Sequence, residues 1–318
     1  MSHSKTFKII LGFAVSGLFL FFAFYKIEFS QFLAAFLNIN GVDIALCVLF
    51  FGLSCVFRAI MWRITTHQIR TVKYTTLFGG IVVGYMANYV LPLRIGEMVR
   101  VFYLNKCAGI SRMAGLSTVF IERLFDVSSL AVFLLIGIWY GSRGLTPDTV
   151  KILFIMIAII ALTAITLYMI SKATNLLPRH GRLLSRSLTY IERFLQPLGQ
   201  LKQSNTLFLV FLLSISAWTC NYLSILSLTH RMPSLFFEAA LVLLLFVNIG
   251  FLIPSSPGAL GVMQVAFWMA LAPFHVVKEN ALALSFAYQG GIFLFSLLIG
   301  LPYFLRANLR LGQVLKTS

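Results

Sequence analysis

The chain changes character at Gly84-Tyr-Met-Ala-Asn-Tyr-Val-Leu-Pro-Leu-Arg-Ile-Gly-Glu-Met-Val-Arg100, where an apolar run stops at Pro92 and charged residues follow at once. Proline lacks a backbone N–H donor and disfavours helix in the residue before it, so we predict that a helix ends near Leu91. Unsatisfied backbone groups are too costly to face lipid, so the break has to be buried in protein or line an aqueous cavity. The charged residues beside it are therefore candidate site residues, although an ordinary helix end with interfacial arginines would leave the same pattern.

The composition is that of a polytopic membrane protein. Of 318 residues, 59% are hydrophobic and only 11% are charged, against about a quarter charged in soluble proteins. The net charge of +16 comes from Lys and Arg in loops between apolar runs, as the positive-inside rule describes, so nucleic acid is not an expected partner. The longest polar segment, 172–205, is too short for a soluble catalytic domain, and we expect a single membrane domain over 1–318.

The polar residues give no sign of an enzyme or of a bound cofactor. The four cysteines and five histidines show no metal-ligand spacing. Nucleophile elbows, phosphate-binding loops and dinucleotide fingerprints are also missing from the sequence. We therefore expect no enzymatic activity, no metal and no cofactor.

Six apolar runs are long enough to cross a bilayer, which takes about 20 residues. They are 7–25, 42–62, 116–140, 150–171, 206–228 and 280–305. Two further units are interrupted: 75–112 breaks at Pro92, and 235–274 breaks at Pro254-Ser-Ser-Pro-Gly258. We interpret both as re-entrant helical hairpins, because the parity of charged loops closes only if each enters and leaves on one side. Both termini are then cytoplasmic.

The order of these elements suggests an inverted repeat. Span, span, hairpin and span cover 7–140, and the same order covers 150–305 starting from the opposite side of the membrane. Paired interrupted segments at corresponding positions of two halves are typical of a transport site near the bilayer midplane. Between the halves, 172–205 contains an amphipathic helix that we expect on the anionic inner leaflet. The alternative is eight simple helices, which would also return both termini to the same side.

Charged residues continue into the span that begins at Leu116. Glu122, Arg123 and Asp126 follow each other within two helical turns, and Asp126 should lie about 15 Å into the membrane. Together with the first interrupted unit, three acids and three arginines form a neutral set: Glu97, Glu122, Asp126, Arg94, Arg100 and Arg123. This set could be a purely structural network, a cavity for a head group or a proton relay. Arg58, near a cytoplasmic span end, is interpreted as a snorkelling side chain.

The second interruption reads as the start of a half-helix. Ser256 is the predicted N-cap and Pro257 the first helical residue. The free N–H groups of the residues from Gly258 to Leu260 would then suit a phosphate or a carboxylate. Helix capping alone would select the same residues.

Three motifs resemble a known family. They are Asn88-Tyr-Val-Leu-Pro-Leu-Arg-Ile-Gly-Glu97 followed by Arg100, Ile121-Glu-Arg-Leu-Phe-Asp126, and Ile253-Pro-Ser-Ser-Pro-Gly-Ala-Leu-Gly261. The chain is similar over about 7–305 to the flippase-like integral membrane family, also called YbhN-like, that includes the transmembrane region of lysylphosphatidylglycerol synthase. In place of an acid and a basic residue common in that family stand Gln264 and Gln289.

The resemblance implies movement of a phospholipid, an aminoacylated lipid or another lipid-linked head group between leaflets. The soluble transferase domain of bifunctional members is absent, which argues against lipid synthesis. We therefore expect a bacterial inner-membrane lipid transporter whose partner is a lipid with an anionic or phosphate-bearing head group. The candidate site residues are Asn88, Pro92, Arg94, Gly96, Glu97, Arg100, Glu122, Arg123, Asp126, Ser255, Ser256, Pro257, Gly258, Gly261 and Gln264.

Two other functions remain open at this point. The chain could be an accessory subunit that binds lipid beside a membrane-enzyme partner without moving it. It could also be a membrane-embedded head-group transferase, which would require Glu97, Glu122 or Asp126 as general base.

Overall fold

The computed structural model describes residues 3–67, 69–91, 95–139, 204–231, 236–251, 253 and 255–309, with the single residues 147, 151 and 158. This part of the chain contains ten α-helices and no strand. The helices are α1 (His3–Phe24), α2 (Phe29–Leu37), α3 (Gly41–His67), α4 (Tyr74–Val90), α5 (Gly96–Ala108), α6 (Arg112–Trp139), α7 (Ser204–Thr229), α8 (Phe236–Gly250), α9 (Val262–Leu271) and α10 (Lys278–Arg306). Two single 3₁₀ turns, Pro257–Ala259 and Ala272–Phe274, flank α9.

The described helices confirm an all-α, multi-pass membrane protein. Four segments are long and apolar enough to cross a membrane, and the bent pair of α1 and α2 makes up to five. The four are Gly41–His67, Asn205–Thr229, Pro257–Phe274 and Lys278–Arg306. The predicted span 150–171 and the connector 172–205 lie almost entirely outside the described residues. The six crossings, the re-entrant course of the hairpins and the cytoplasmic termini stay predictions.

Helix α2 lies between the predicted spans 7–25 and 42–62, where we predict no helix from the sequence. It turns 93° away from α1, and none of its residues is buried. The ring of Phe32 nevertheless packs against Phe24 and Phe286, with centroids 5.9 and 5.8 Å apart. The aromatic ring of Phe32 thus anchors this short helix to α1 and α10.

The first interrupted unit breaks where the sequence predicts. Helix α4 ends at Val90, and Leu91 is extended with φ −105° and ψ 143°. Helix α5 then packs against α4 so closely that a Cβ on Gly96 would lie 2.1 Å from the carbonyl oxygen of Gly84. The side chain of Asn88 accepts a 2.8 Å hydrogen bond from the Gly96 N–H and so satisfies the start of α5. Pro92 and Arg94 lie outside the described residues.

The second interrupted unit differs from the prediction in where its helix starts. A helical turn does begin at Pro257 after Ser256, but it is a single 3₁₀ turn. Gly258 and Ala259 have φ of +67° and +55°, which ends the turn, and α9 begins only at Val262. Ser256 makes no side-chain cap. The half-helix predicted to start at Pro257 is therefore wrong, because the chain takes left-handed conformations before α9 can form.

Tertiary contacts bring the two interrupted units together. Helix α4 packs against the turn Pro257–Ala259, and the ring carbon Cδ1 of Tyr89 lies 3.1 Å from the position that a Cβ on Gly258 would occupy. The most extensive packing in the described residues joins α3 and α7. There Ser224 donates a 2.8 Å hydrogen bond to the Cys47 carbonyl, since small side chains let membrane helices approach closely.

Candidate functional site

Four charged side chains are buried where α3, α5 and α6 meet. Arg58 on α3, Arg100 on α5, and Glu122 and Asp126 on α6 are each at most 5% exposed. On insertion scales a charged side chain at the bilayer centre costs about 2.5 to 3.5 kcal/mol. Such residues therefore require partners, and in this structure all four find them in one another.

Glu122 is the shared acceptor of both buried arginines. Arg100 donates two hydrogen bonds to it, Nη1 to Oε1 at 3.1 Å and Nη2 to Oε2 at 2.7 Å. Arg58 Nη1 donates to the same Oε1 at 3.1 Å. The two parallel bonds from Arg100 fix the carboxylate plane, which is the strongest geometry for this kind of pair.

Asp126 completes the buried part of the cluster one turn further along α6. It accepts hydrogen bonds from Arg58 Nη1 at 2.9 and 3.0 Å. The indole Nε1 of Trp218 on α7 donates to its Oδ1 at 2.8 Å. Asp126 therefore links α6 to α3 and α7 through charge-assisted hydrogen bonds.

Two tryptophans cover the buried guanidinium groups. The Arg100 guanidinium lies 4.3 Å from the ring centre of Trp62, and that of Arg58 lies 5.4 Å from Trp218. The Nε1 of Trp62 is held by a 2.9 Å hydrogen bond to Thr118. The aromatic faces attract the cations and exclude water from the inner charges.

Arg123 and Glu97 form an edge of the cluster that is half-exposed. Their side chains are 41% and 47% exposed, and Arg123 Nε lies 3.1 Å from Glu97 Oε1. The Nε atom is itself buried and makes no hydrogen bond, so this contact is an ion pair without directional bonding. On its other side Arg123 reaches Asp126 Oδ2 at 3.2 Å and Glu122 Oε1 at 3.3 Å.

These six side chains have three positive and three negative charges and sum to zero. The structure brings five members of the predicted neutral set together: Glu97, Arg100, Glu122, Arg123 and Asp126. The sixth, Arg94, lies outside the described residues, and the third positive charge comes from Arg58. The interpretation of Arg58 as a snorkelling side chain is wrong: it is 3% exposed and binds both buried acids. Its partners lie 64 and 68 residues away in sequence. The signal that could have revealed it is its position among apolar residues inside a span.

Amide side chains hold the second interruption together. Gln264 Nε2 donates to Gln289 Oε1 at 2.6 Å, and Gln289 Nε2 donates to the Gly258 carbonyl at 2.8 Å. The Gly261 N–H donates to Gln264 Oε1 at 2.6 Å. This chain of bonds satisfies backbone groups that the left-handed residues would leave free.

The serines of this segment are also buried. The Ser256 N–H donates to Ser16 Oγ at 2.8 Å, which ties the segment to α1. The Ser255 hydroxyl is buried without a hydrogen-bond partner. Gly261 has φ +85°, and a Cβ there would lie 2.5 Å from the Ser16 carbonyl oxygen, so only glycine fits. In the part of the chain that is described, no hydrogen bond or ion pair joins these residues to the charged cluster.

Comparison with known proteins identifies the family. The family model described as the lysylphosphatidylglycerol synthase TM region matches residues 9–300. The chain belongs to this family. A UPF0104 membrane protein of Methanocaldococcus jannaschii is 26% identical over 212 residues, which cover 64% of this chain and 86% of the relative. The resemblance drawn from the three motifs is thereby confirmed.

Both polar regions lie inside the segment that matches the lysylphosphatidylglycerol synthase TM family. The charged cluster uses α3, α5, α6 and α7, while the amide chain uses the segment before α9 and the middle of α10. Across the residues that the structure describes, no group of three or more His, Cys, Asp or Glu could hold a metal ion. The chemical groups of the charged cluster are guanidinium donors and carboxylate acceptors, which are the groups that recognise ionic head groups.

Proposed function

We propose that this protein moves a phospholipid or another lipid-linked head group between the leaflets of a bacterial inner membrane, without enzymatic chemistry. One observation carries the proposal: a charged cluster that is otherwise buried has one half-exposed edge at Arg123 and Glu97. In this proposal α6 enters the hydrocarbon core at Leu116, which puts Arg123 about 10 Å into a core about 30 Å thick. Charge held at that depth is typical of a substrate pathway.

In this proposal the buried residues and the edge residues have different roles. Arg58, Arg100, Glu122 and Asp126 fix the position of Arg123 through close ion pairs. The Nε–H of Arg123 makes no hydrogen bond and is buried against Glu97, 3.1 Å away. An oxygen of the passing head group would reach it by displacing that carboxylate. When the head group crosses the midplane it loses its bound water. The guanidinium would replace the hydrogen bonds that this water made to the charged group.

The arrangement of the spans is part of the proposal. Two re-entrant hairpins within an inverted repeat, with both termini in the cytoplasm, would place the two interruptions against each other at the site. The contact between Tyr89 and Gly258 supports this arrangement. The segment Pro257–Phe274 is long and apolar enough to cross completely, and simple helices are therefore the competing arrangement.

A lipid-binding accessory subunit is the second candidate function. It is favoured by the fact that the four buried charges already pair with one another. Such a network stabilises the fold by itself and needs no passing ligand. Such a subunit would hold a lipid beside a membrane enzyme and would not move it. A head-group transferase would need a bound donor and Glu97, Glu122 or Asp126 as a general base. Of these three, Glu97 is half-exposed.

The test is lipid movement by the purified protein alone. We would reconstitute it into vesicles that contain an acyl-labelled phospholipid and measure how fast the label becomes accessible to a membrane-impermeant quencher from outside. Protein-free vesicles give the background rate. We expect a rate that rises in proportion to protein content. Background rates with a folded protein that still co-purifies with lipid would overturn the transporter and favour the accessory subunit.

Mass analysis of head groups after incubation with lipid and soluble donors tests the transferase. A new lipid product formed by the protein would contradict the proposal that it is not an enzyme. Unmodified lipid in the same vesicles in which movement is measured would support transport without chemistry.

A further inference from the structure

We propose that the head group recognised at the Arg123–Glu97 edge is zwitterionic, with a phosphate and a primary ammonium, as in a phosphoethanolamine lipid. This inference rests on the proposed function and specifies its substrate class. It starts from the fact that the half-exposed edge is itself one cation and one anion in contact. A ligand that separates them has to satisfy both charges.

Arg123 can accept a phosphate without leaving the cluster. Its Nη1 and Nη2 stay within 3.2 and 3.3 Å of Asp126 and Glu122. Its Nε is buried, makes no hydrogen bond and lies 3.1 Å from the Glu97 carboxylate. Once that carboxylate moves aside, the Nε–H is the group left for a phosphate oxygen. The guanidinium therefore keeps its inner partners while it binds a second anion on its outer side.

Glu97 is the residue that makes the difference between head groups. Among the described residues its ion pair is with Arg123 alone. When a phosphate takes the Nε side of Arg123, the Glu97 carboxylate loses that partner and comes to lie beside a second negative charge. An ammonium group with N–H donors on the same head group restores the pair, whereas a glycerol head group cannot.

The reach of such a head group fits the edge. Phosphate and ammonium are separated by two carbons, and the two protein groups that would bind them are already 3.1 Å apart. A head group of this length can therefore contact both without a large rearrangement of α5 or α6. A quaternary ammonium has the same charge but no N–H donor, so we expect it to bind less well than a primary one.

The test is competition between lipids for retention by the protein. We would reconstitute the wild type into bilayers with equal amounts of phosphatidylethanolamine and phosphatidylglycerol, purify it with its bound lipid, and measure the retained ratio by mass spectrometry. We expect an excess of the ethanolamine lipid of at least about tenfold, because an unpaired carboxylate at membrane depth is disfavoured by more than that factor. Equal retention, or an excess of the glycerol lipid, overturns the inference without any variant.

Three variants sharpen the result. Glu97→Gln removes the acceptor of the ammonium, so the retained ratio should fall to about one or reverse. Arg123→Gln should lose both lipids. Glu28→Gln is the matched control, since Glu28 is an exposed carboxylate on another part of the chain. An unchanged ratio in Glu97→Gln with native thermal stability contradicts the inference.

Two further comparisons separate this inference from the proposed function and from a soluble ligand. Selective retention of the ethanolamine lipid by a protein that moves no lipid supports the head-group assignment and overturns transport. Equal movement of both lipids supports transport and overturns the assignment. If water-soluble glycerophosphoethanolamine binds the purified protein as tightly as the lipid does, the assignment to a lipid is overturned.

Discussion

Replacing Asp126 and Arg58, singly and together, probes whether the inner charges depend on each other. Asp126→Asn keeps the size of the side chain and an oxygen that can accept from Trp218, but it removes the negative charge that faces Arg58 at 2.9 and 3.0 Å. Arg58→Gln removes the opposite charge. The double variant restores a balanced count of charges.

The magnitude follows from burial and from the number of remaining partners. Removing one member of a buried ion pair costs about 3 to 5 kcal/mol, because the other charge stays buried. Arg58 keeps Glu122 at 3.1 Å, so we expect the lower end, about 3 kcal/mol for each single change. The double variant should lose about 2 kcal/mol less than the sum, since neither charge is left uncompensated.

Thermal unfolding of the purified protein in one detergent measures these losses. At about 2 °C per kcal/mol for a chain of this size, each single variant should lower the midpoint by about 6 °C, and the double variant by about 8 °C instead of about 12 °C. Glu28→Gln serves as control. Glu28 accepts one exposed hydrogen bond from Gln31 at the start of α2, so the midpoint should fall by no more than about 2 °C. Single shifts below about 1 °C, or a double shift equal to the sum, would refute the reasoning.

Three further changes test other parts of the fold by the same measurement. Gly96→Ala places a Cβ 2.1 Å from the Gly84 carbonyl oxygen and should destabilise by about 1 to 3 kcal/mol; a neutral result would mean that α4 and α5 are not in close contact. Gln264→Glu buries an unpaired charge and should cost about 3 kcal/mol. Gln289 lies 2.6 Å from Gln264, so adding Gln289→Lys gives the new carboxylate a positive partner and should recover at least half of the lost stability. No recovery would contradict the pairing of these two side chains. Lys278→Met removes hydrogen bonds to two carbonyls at the end of α1 and should lower the stability of the fold by about 1 kcal/mol. A midpoint at or above that of the wild type would show that this contact is not stabilising.

The first break and most of the cluster could be predicted because their causes are local. Pro92 ends a helix through its own covalent structure, and Leu91 is extended as expected. Glu122 and Asp126 share a helix face by spacing alone. Arg58 and Trp218 could not be assigned to the cluster, since their contacts with Asp126 span 68 and 92 residues and no periodicity records a tertiary pair.

The second interruption shows where local rules give way to tertiary contacts. Ser256 and Pro257 fit the start of a helix, and a turn does form there. The start of α9 is delayed by the left-handed Gly258 and Ala259, next to the Tyr89 ring and the amide of Gln289. Those contacts come from α4 and α10, which the local sequence does not contain.

The length criterion for spans explains why α2 was missed. Its apolar residues recur at helical spacing, with Phe32 and Phe36 on the same face as Phe29. Nine residues are too few to cross a bilayer, so the length criterion predicts only a connection between spans there. A short helix anchored by aromatic contacts needs no such length.

The direct test of lipid movement at this site is the rate for a charge-neutral variant of the edge. Glu97→Gln combined with Arg123→Gln removes one charge of each sign, and both residues are half-exposed, so the fold should be retained. In vesicles with equal protein content, wild type and Glu28→Gln should move acyl-labelled phosphatidylethanolamine, and the double variant should return to the protein-free rate. A double variant that is folded and moves the lipid as fast as the wild type would contradict transport through the Arg123–Glu97 edge.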